Sequence, residues 1–235
     1  MKIKNKALRV VAVALFVAVE LVLGILLQTV GGREADACRF SSVILCALFC
    51  LLFAERAPAY LLTQAALVCT VGADYFLVWS QPMVQLPAML FFLVAQSAYA
   101  ARLYLAEPAA TRRRWQRWSV PVLGAVALAV TVIVLGQGVD ALALVSMLYY
   151  TILVLNVVFA MGRYGANPLL AVGLLLFLFC DTAVGLSMMD AYLPIPPDAL
   201  LYRVLRPGFD VAWACYLPSQ VLITLSLAIK KQTTE

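Results

Sequence analysis

Apolar residues run along this chain in stretches close to the length of a bilayer crossing, and polar residues collect in short clusters between them. A helix needs about 20 mostly apolar residues to span the hydrocarbon core. Eight stretches meet or approach that length: residues 8–28, 38–54, 59–79, 84–105, 119–136, 141–161, 168–189 and 209–229. The second and fifth are the shortest. A membrane-spanning strand would alternate over about 10 residues, so unbroken runs of this size predict helices. The expected fold is all-α, a single eight-transmembrane-helix bundle over residues 1–235.

Composition agrees with that pattern. Of 235 residues, 65% are apolar and 12% charged, with a mean hydropathy of +0.97. Soluble domains carry about 45–50% apolar and roughly 25% charged residues. Hydrocarbon is therefore the solvent for most of this chain. Cytoplasmic loops are enriched in Lys and Arg, and with the N-terminus inside, thirteen of the seventeen basic residues fall on inner segments. Only Arg33, Arg39, Arg203 and Arg206 fall outside. Eight crossings with both termini cytoplasmic follow, in an integral multi-pass protein of the plasma membrane if the source is bacterial. The opening MKIKNK and its apolar run resemble a secretion signal, but the run exceeds the usual 7–15 residues and Glu20 interrupts it, so a retained first helix is expected.

Charge adds little beyond topology. The net charge is +5, and the run TRRRWQRW at 111–118 reads as an orientation signal with Trp115 and Trp118 at the interface. Nucleic-acid binding has no other support. The chain has no histidine, which excludes His-ligated metals and the Ser–His–Asp and Cys–His mechanisms. Its six cysteines form no C-x-x-C and read as reduced packing residues. Lysine occurs only at the two ends, so no mid-membrane Schiff base can form. Neither metal nor cofactor is expected.

Four acids interrupt the apolar runs: Glu20, Asp74, Asp181 and Asp210. A charged residue at the bilayer centre costs about 2.5–3.5 kcal/mol on the insertion scale, so each must turn away from lipid. From the topology, Glu20 and Asp181 lie near mid-membrane, Asp74 in the outer half and Asp210 at the outer rim, with Asp181 the more deeply set aspartate. No Lys or Arg is placed at the same depth to neutralise them. All four are expected to converge on one cavity opening outward. Further polar residues lie at helical spacing: Gln96 with Tyr99; Ser146, Tyr149 or Tyr150, Leu153 and Asn156; and Asp210, Trp213, Tyr216 and Gln220, with Pro218 placed to kink the last helix. The plainer reading is interhelical glue, worth about 0.6 kcal/mol per contact.

Four motifs in order carry a resemblance. GADYFLVW at 72–79 resembles the Gly-Asp-x-x-Leu segment of the YhhN/lysoplasmalogenase family of eight-span membrane proteins. FFLVAQSAYAARLY at 91–104 resembles its Phe-x-x-Ala-His-x-x-Tyr helix, and LLLFLFCDTAVGL at 174–186 its Leu-Phe-x-x-Ser-Asp-x-x-Leu segment. CYLPSQVLITLS at 215–226 resembles its closing Tyr-x-x-x-Gln helix. The resemblance is strongest over 39–229. It implies hydrolysis of the vinyl ether bond of lysoplasmalogens to a fatty aldehyde and a glycerophospho-alcohol. It places Asp74 and Asp181 on the family's two characteristic aspartates, and Tyr99, Tyr216 and Gln220 on its polar positions. Gln96 stands where the family usually has His, and Cys180 where it has Ser.

That chemistry asks for one protonated carboxylic acid and one carboxylate, as in glycosidases that pass through an oxocarbenium ion. Asp181 is expected to be the acid and Asp74 the ionised partner, or the reverse. Gln96, Tyr99, Tyr150, Tyr216, Gln220 and Arg203 are expected to contact a lysophospholipid substrate, with Glu20 and Asp210 as additional acids. In the outer loop at 190–208, a short amphipathic helix would present Arg203 and Arg206 to a phosphate head group. Two other readings remain open: a proton-coupled small-molecule or lipid transporter, and a non-catalytic member of the family. Membrane lipids are the expected partners.

Overall fold

The computed structural model describes residues 6–52, 57–107, 112, 119, 122–126, 129, 140–188 and 209–228. Seven long helices account for most of them: α1 (Lys6–Thr29), α2 (Gly32–Leu52), α3 (Pro58–Asp74), α4 (Gln85–Ala106), α5 (Ala141–Gly162), α6 (Pro168–Met188) and α7 (Val211–Ala228). All seven are long and apolar enough to cross a membrane, and the described residues contain no strand. The surface is apolar, as lipid contact requires. Leu15 and Ile25 on α1, Val68 on α3, Val94 on α4, Val158 on α5 and Phe179 on α6 are all exposed.

Local chemistry sets the helix ends. Pro58 opens α3 at a position where its missing N–H costs nothing. The Asp140 carboxylate accepts from Ala143 N at 2.9 Å and caps α5. Asn167 Oδ1 accepts from Leu170 N at 3.1 Å to cap α6, and Asp210 Oδ1 accepts from Trp213 N at 3.1 Å to cap α7. Gly32, at φ +58°, turns the chain between α1 and α2.

Here the structure corrects the sequence reading, because α2 starts at Gly32 and not at residue 38. Hydropathy overlooks its polar first turns, GREADACR. Arg39 bonds Asp36 one turn away at 2.9 Å and Asp210 at 2.7 Å. Pro218 lies inside α7, and the helix continues on both sides of it. The fifth expected span lies largely outside the described residues, as do the 190–208 loop with Arg203 and Arg206 and most of the 111–118 run.

Helix α7 is the most enclosed element. It packs on α6, α2 and α1. At Gly173 of α6, a Cβ would sit 2.8 Å from Ile223 Cγ1 and 3.1 Å from both Ile223 N and Ser219 O, so only glycine allows this approach. One apolar core gathers Phe92, Tyr99, Tyr149, Leu153, Phe177 and Tyr216 from α4 to α7. A second joins α1, α2, α3 and α7, with Phe16 stacked on Phe49 at 4.0 Å.

Two contacts fix the path of the chain. Arg163, just past α5, donates to Ala106 O at 2.6 Å and pairs with Glu107 at 3.3 Å, just past α4. With Phe92 stacked on Tyr149 further up, α4 and α5 run parallel. The connection between them must therefore return from one end of the bundle to the other. At the opposite termini, Arg9 of α1 donates to Ala228 O at the end of α7, so the first and last helices begin and end on the same side.

Candidate functional site

Asp74 ends α3, and the chain there widens into a π-helical turn, Tyr75–Trp79, with Ser80 N bonded to Tyr75 O at 2.7 Å. Such turns are rare and cluster at functional sites. Gly72, one turn earlier, lets the Phe91 ring approach to 2.9 Å of where a Cβ would stand. Asp74 is 2% exposed and accepts a hydrogen bond from Tyr216 Oη of α7 at 2.7 Å.

Asp181, in the C-terminal half of α6, is built the same way. Tyr149 Oη of α5 donates to its carboxylate. The two aspartates are linked through their tyrosines and the ring of Phe92 that touches both. Rings join the two pairs: Phe92 stacks on Tyr149 at 5.6 Å and meets Tyr216 edge-on at 6.4 Å, while Phe177 lies 5.3 Å from Tyr216 and 5.9 Å from Phe92. Five helices, α3 to α7, thus bring two carboxyls, two phenols and two phenyl rings into one cluster. In glycosidase-like chemistry such a set offers a proton donor, an anion and an apolar wall beside a developing cation.

Asp74 is sealed, whereas Asp181 is only partly buried. Of the two adjacent tyrosines, Tyr149 is the buried one, at 4%. Tyr150, the expected substrate contact, is exposed and shares a 2.8 Å hydrogen bond with Thr182. The sequence offered no means of choosing between neighbours on one helix.

The expected convergence of four acids is corrected as well. Glu20 belongs to a separate buried set on α1 and α2, accepting from Ser42 Oγ at 2.6 Å and Cys46 Sγ at 3.4 Å. It borders a groove of about 350 Å³ between α1 and α7. Asp210 is held by Arg39 and spent on capping α7, so a cation does stand at its depth. Neither that groove nor a second one of about 300 Å³ beside α4 and α5 is lined by Asp74 or Asp181. The outward cavity shared by all four acids is replaced by a packed aromatic cluster around two.

Toward the N-terminal end of α7 the cluster continues through Trp213, whose ring meets Tyr216 at 4.9 Å and lies 5.7 Å from the Arg39 guanidinium. Arg33 stands 4.2 Å over Trp79 and donates to its carbonyl at 3.0 Å. Toward the other end, Gln96, Tyr99 and Gln220 are all fully buried. Asn156 Nδ2 donates to Gln96 O and Oε1 at 2.9 and 3.0 Å. The Gln96 side chain is thus tied to α5. Arg102, counted among the inner loop cations on sequence grounds, is buried at 5%, donating to Thr63 at 2.9 Å and Ser226 at 3.0 Å. Helix α4 runs to Ala106 and takes it inside.

The fold and this cluster define a multi-pass helical membrane protein with a paired-carboxyl centre inside the bundle. The family model of the YhhN family matches residues 35–227, and the chain belongs to that family. No curated protein and no solved structure matches it.

Proposed function

We propose that this protein is a membrane ether hydrolase that cleaves the vinyl ether bond of lysoplasmalogens, with Asp74 and Asp181 as its working pair. The observation that carries this reading is the pair of tyrosine-bound aspartates joined through Phe92 and Phe177. Two carboxyls in one cluster divide the roles of acid and anion between them. Asp181, the more accessible, gives its proton to the alkene carbon remote from the ether oxygen. Asp74, sealed under Tyr216, stabilises the resulting oxocarbenium ion. Water adds to the cationic carbon and returns a proton to Asp181. The hemiacetal then collapses to a fatty aldehyde and a free glycerol hydroxyl. Histidine is not required at any step.

The substrate is a lysophospholipid reached from the membrane, with its head group at the outer rim near Arg33 and Arg39 and, beyond the described residues, Arg203. Eight membrane crossings with both termini cytoplasmic are part of the proposal. Their support is the parallel course of α4 and α5 together with the excess of inner Lys and Arg. The test is purified protein in detergent given a lysoplasmalogen or its saturated-ether analogue. Aldehyde is expected from the first alone. Counterflow in liposomes without aldehyde would instead make the protein a transporter.

A further inference from the structure

Below the aspartate pair, α4 and α7 run parallel in a single register. Phe92 meets Tyr216, and ten residues further on Arg102 meets Ser226, at the same sequence offset of 124 residues. That offset sets Gln96 level with Gln220, and Tyr99 level with Ile223, one turn beyond Ser219. The interval between the two contacts is about 15 Å at the rise of an α-helix. Asn156 of α5 closes the third side through its bonds to Gln96.

Inside this interval the hydrogen bonding does not balance. Gln96 Nε2, Tyr99 Oη, Asn156 Oδ1, Ser219 Oγ and both polar atoms of the Gln220 amide have no partner among the described residues. All five side chains are fully buried. A buried polar atom left unsatisfied bears its full desolvation cost, and native structures rarely leave even one such atom without a partner. Native proteins meet such groups with internal water, each molecule making about three hydrogen bonds to polar atoms. Apolar voids stay dry, but amides and hydroxyls at one level on three helices supply the two to four partners a water needs.

We propose that a file of ordered water molecules runs inside the bundle between α4, α5 and α7, from Tyr216 toward Arg102. Gln96 and Gln220 face it from opposite helices and donate and accept in turn, and Tyr99 hands it on to the Arg102, Thr63 and Ser226 group. The file stands on hydrogen-bond geometry alone. Joined to the hydrolase reading, it brings the water that adds to the oxocarbenium ion without opening the aspartate pair to lipid, and it gives protons a route to that pair.

X-ray hydroxyl-radical footprinting of the full chain in lipid nanodiscs tests this, because radicals form on water held in place. Tyr99 and Phe177 are equally inaccessible from the surface. After correction for intrinsic reactivity, Tyr99 is expected to be modified several-fold faster than Phe177, and Gln96→Leu with Gln220→Leu to reduce that rate. Labelling of wild-type Tyr99 no faster than Phe177 overturns the proposal and leaves a dry, self-paired cluster, whether or not the double variant folds. Aldehyde release does not enter this readout, so the two accounts fail separately.

Discussion

At the scale of single residues, each acid is explained by the donor it meets. Tyr216 holds Asp74, so Tyr216→Phe leaves a sealed carboxyl without its phenol and is expected to cost about 1–3 kcal/mol. Thermal unfolding in detergent would show this as a lowered midpoint, and an unchanged midpoint would remove Tyr216 from the account. Arg39 serves two carboxylates from a position about a quarter exposed, where ion pairs are worth about 1 kcal/mol at most. Arg39→Ala is therefore expected to lower the same midpoint only slightly, with the difference shrinking at high salt. None of these pairings could be read from one dimension. The sequence singled out Asp74, Asp181, Tyr216 and Gln220 because polar groups in an apolar run are conspicuous. It could not tell Tyr149 from Tyr150, or foresee that Asp210 is occupied by an arginine 171 positions away.

At the scale of elements, the helices follow directly from the apolar runs, and the exceptions have physical reasons. The start of α2 is polar, and Arg39 bridges Asp36 and Asp210 there, which a hydropathy reading cannot register. The π-turn after Asp74 leaves no mark in GADYFLVW. Close packing, by contrast, puts glycine where two backbones meet. Gly173→Ala pushes a methyl against the backbone of α7, which cannot yield, while Gly72→Ala meets only the Phe91 ring, which can turn. Overpacking costs about 1–3 kcal/mol. The larger loss of thermal stability is expected at Gly173, and equal losses at the two sites would mean that α6 and α7 are not held as closely as described.

At the scale of the whole molecule, connectivity supplies what the individual helices do not. Seven strictly alternating helices would leave the termini on opposite sides, yet Arg9 reaches Ala228. Reporters fused to the N- and C-terminus are expected to lie on the same, cytoplasmic side, and opposite sides would refute the proposed eighth crossing. Helices α1, α2, α3, α4 and α6 all meet α7, and the packing gathers the two tyrosine-bound aspartates in one aromatic cluster while leaving Glu20 apart. The most direct measurement is aldehyde release by Asp74→Asn, Asp181→Asn and the double variant, each shown to be folded. Residues acting as one unit give non-additive losses. Each single variant is predicted to lose at least about 100-fold, within the range of general acid–base contributions, and the double to be no slower than the worse single. A single variant that keeps most of the wild-type rate, or losses that multiply in the double, would contradict a shared centre.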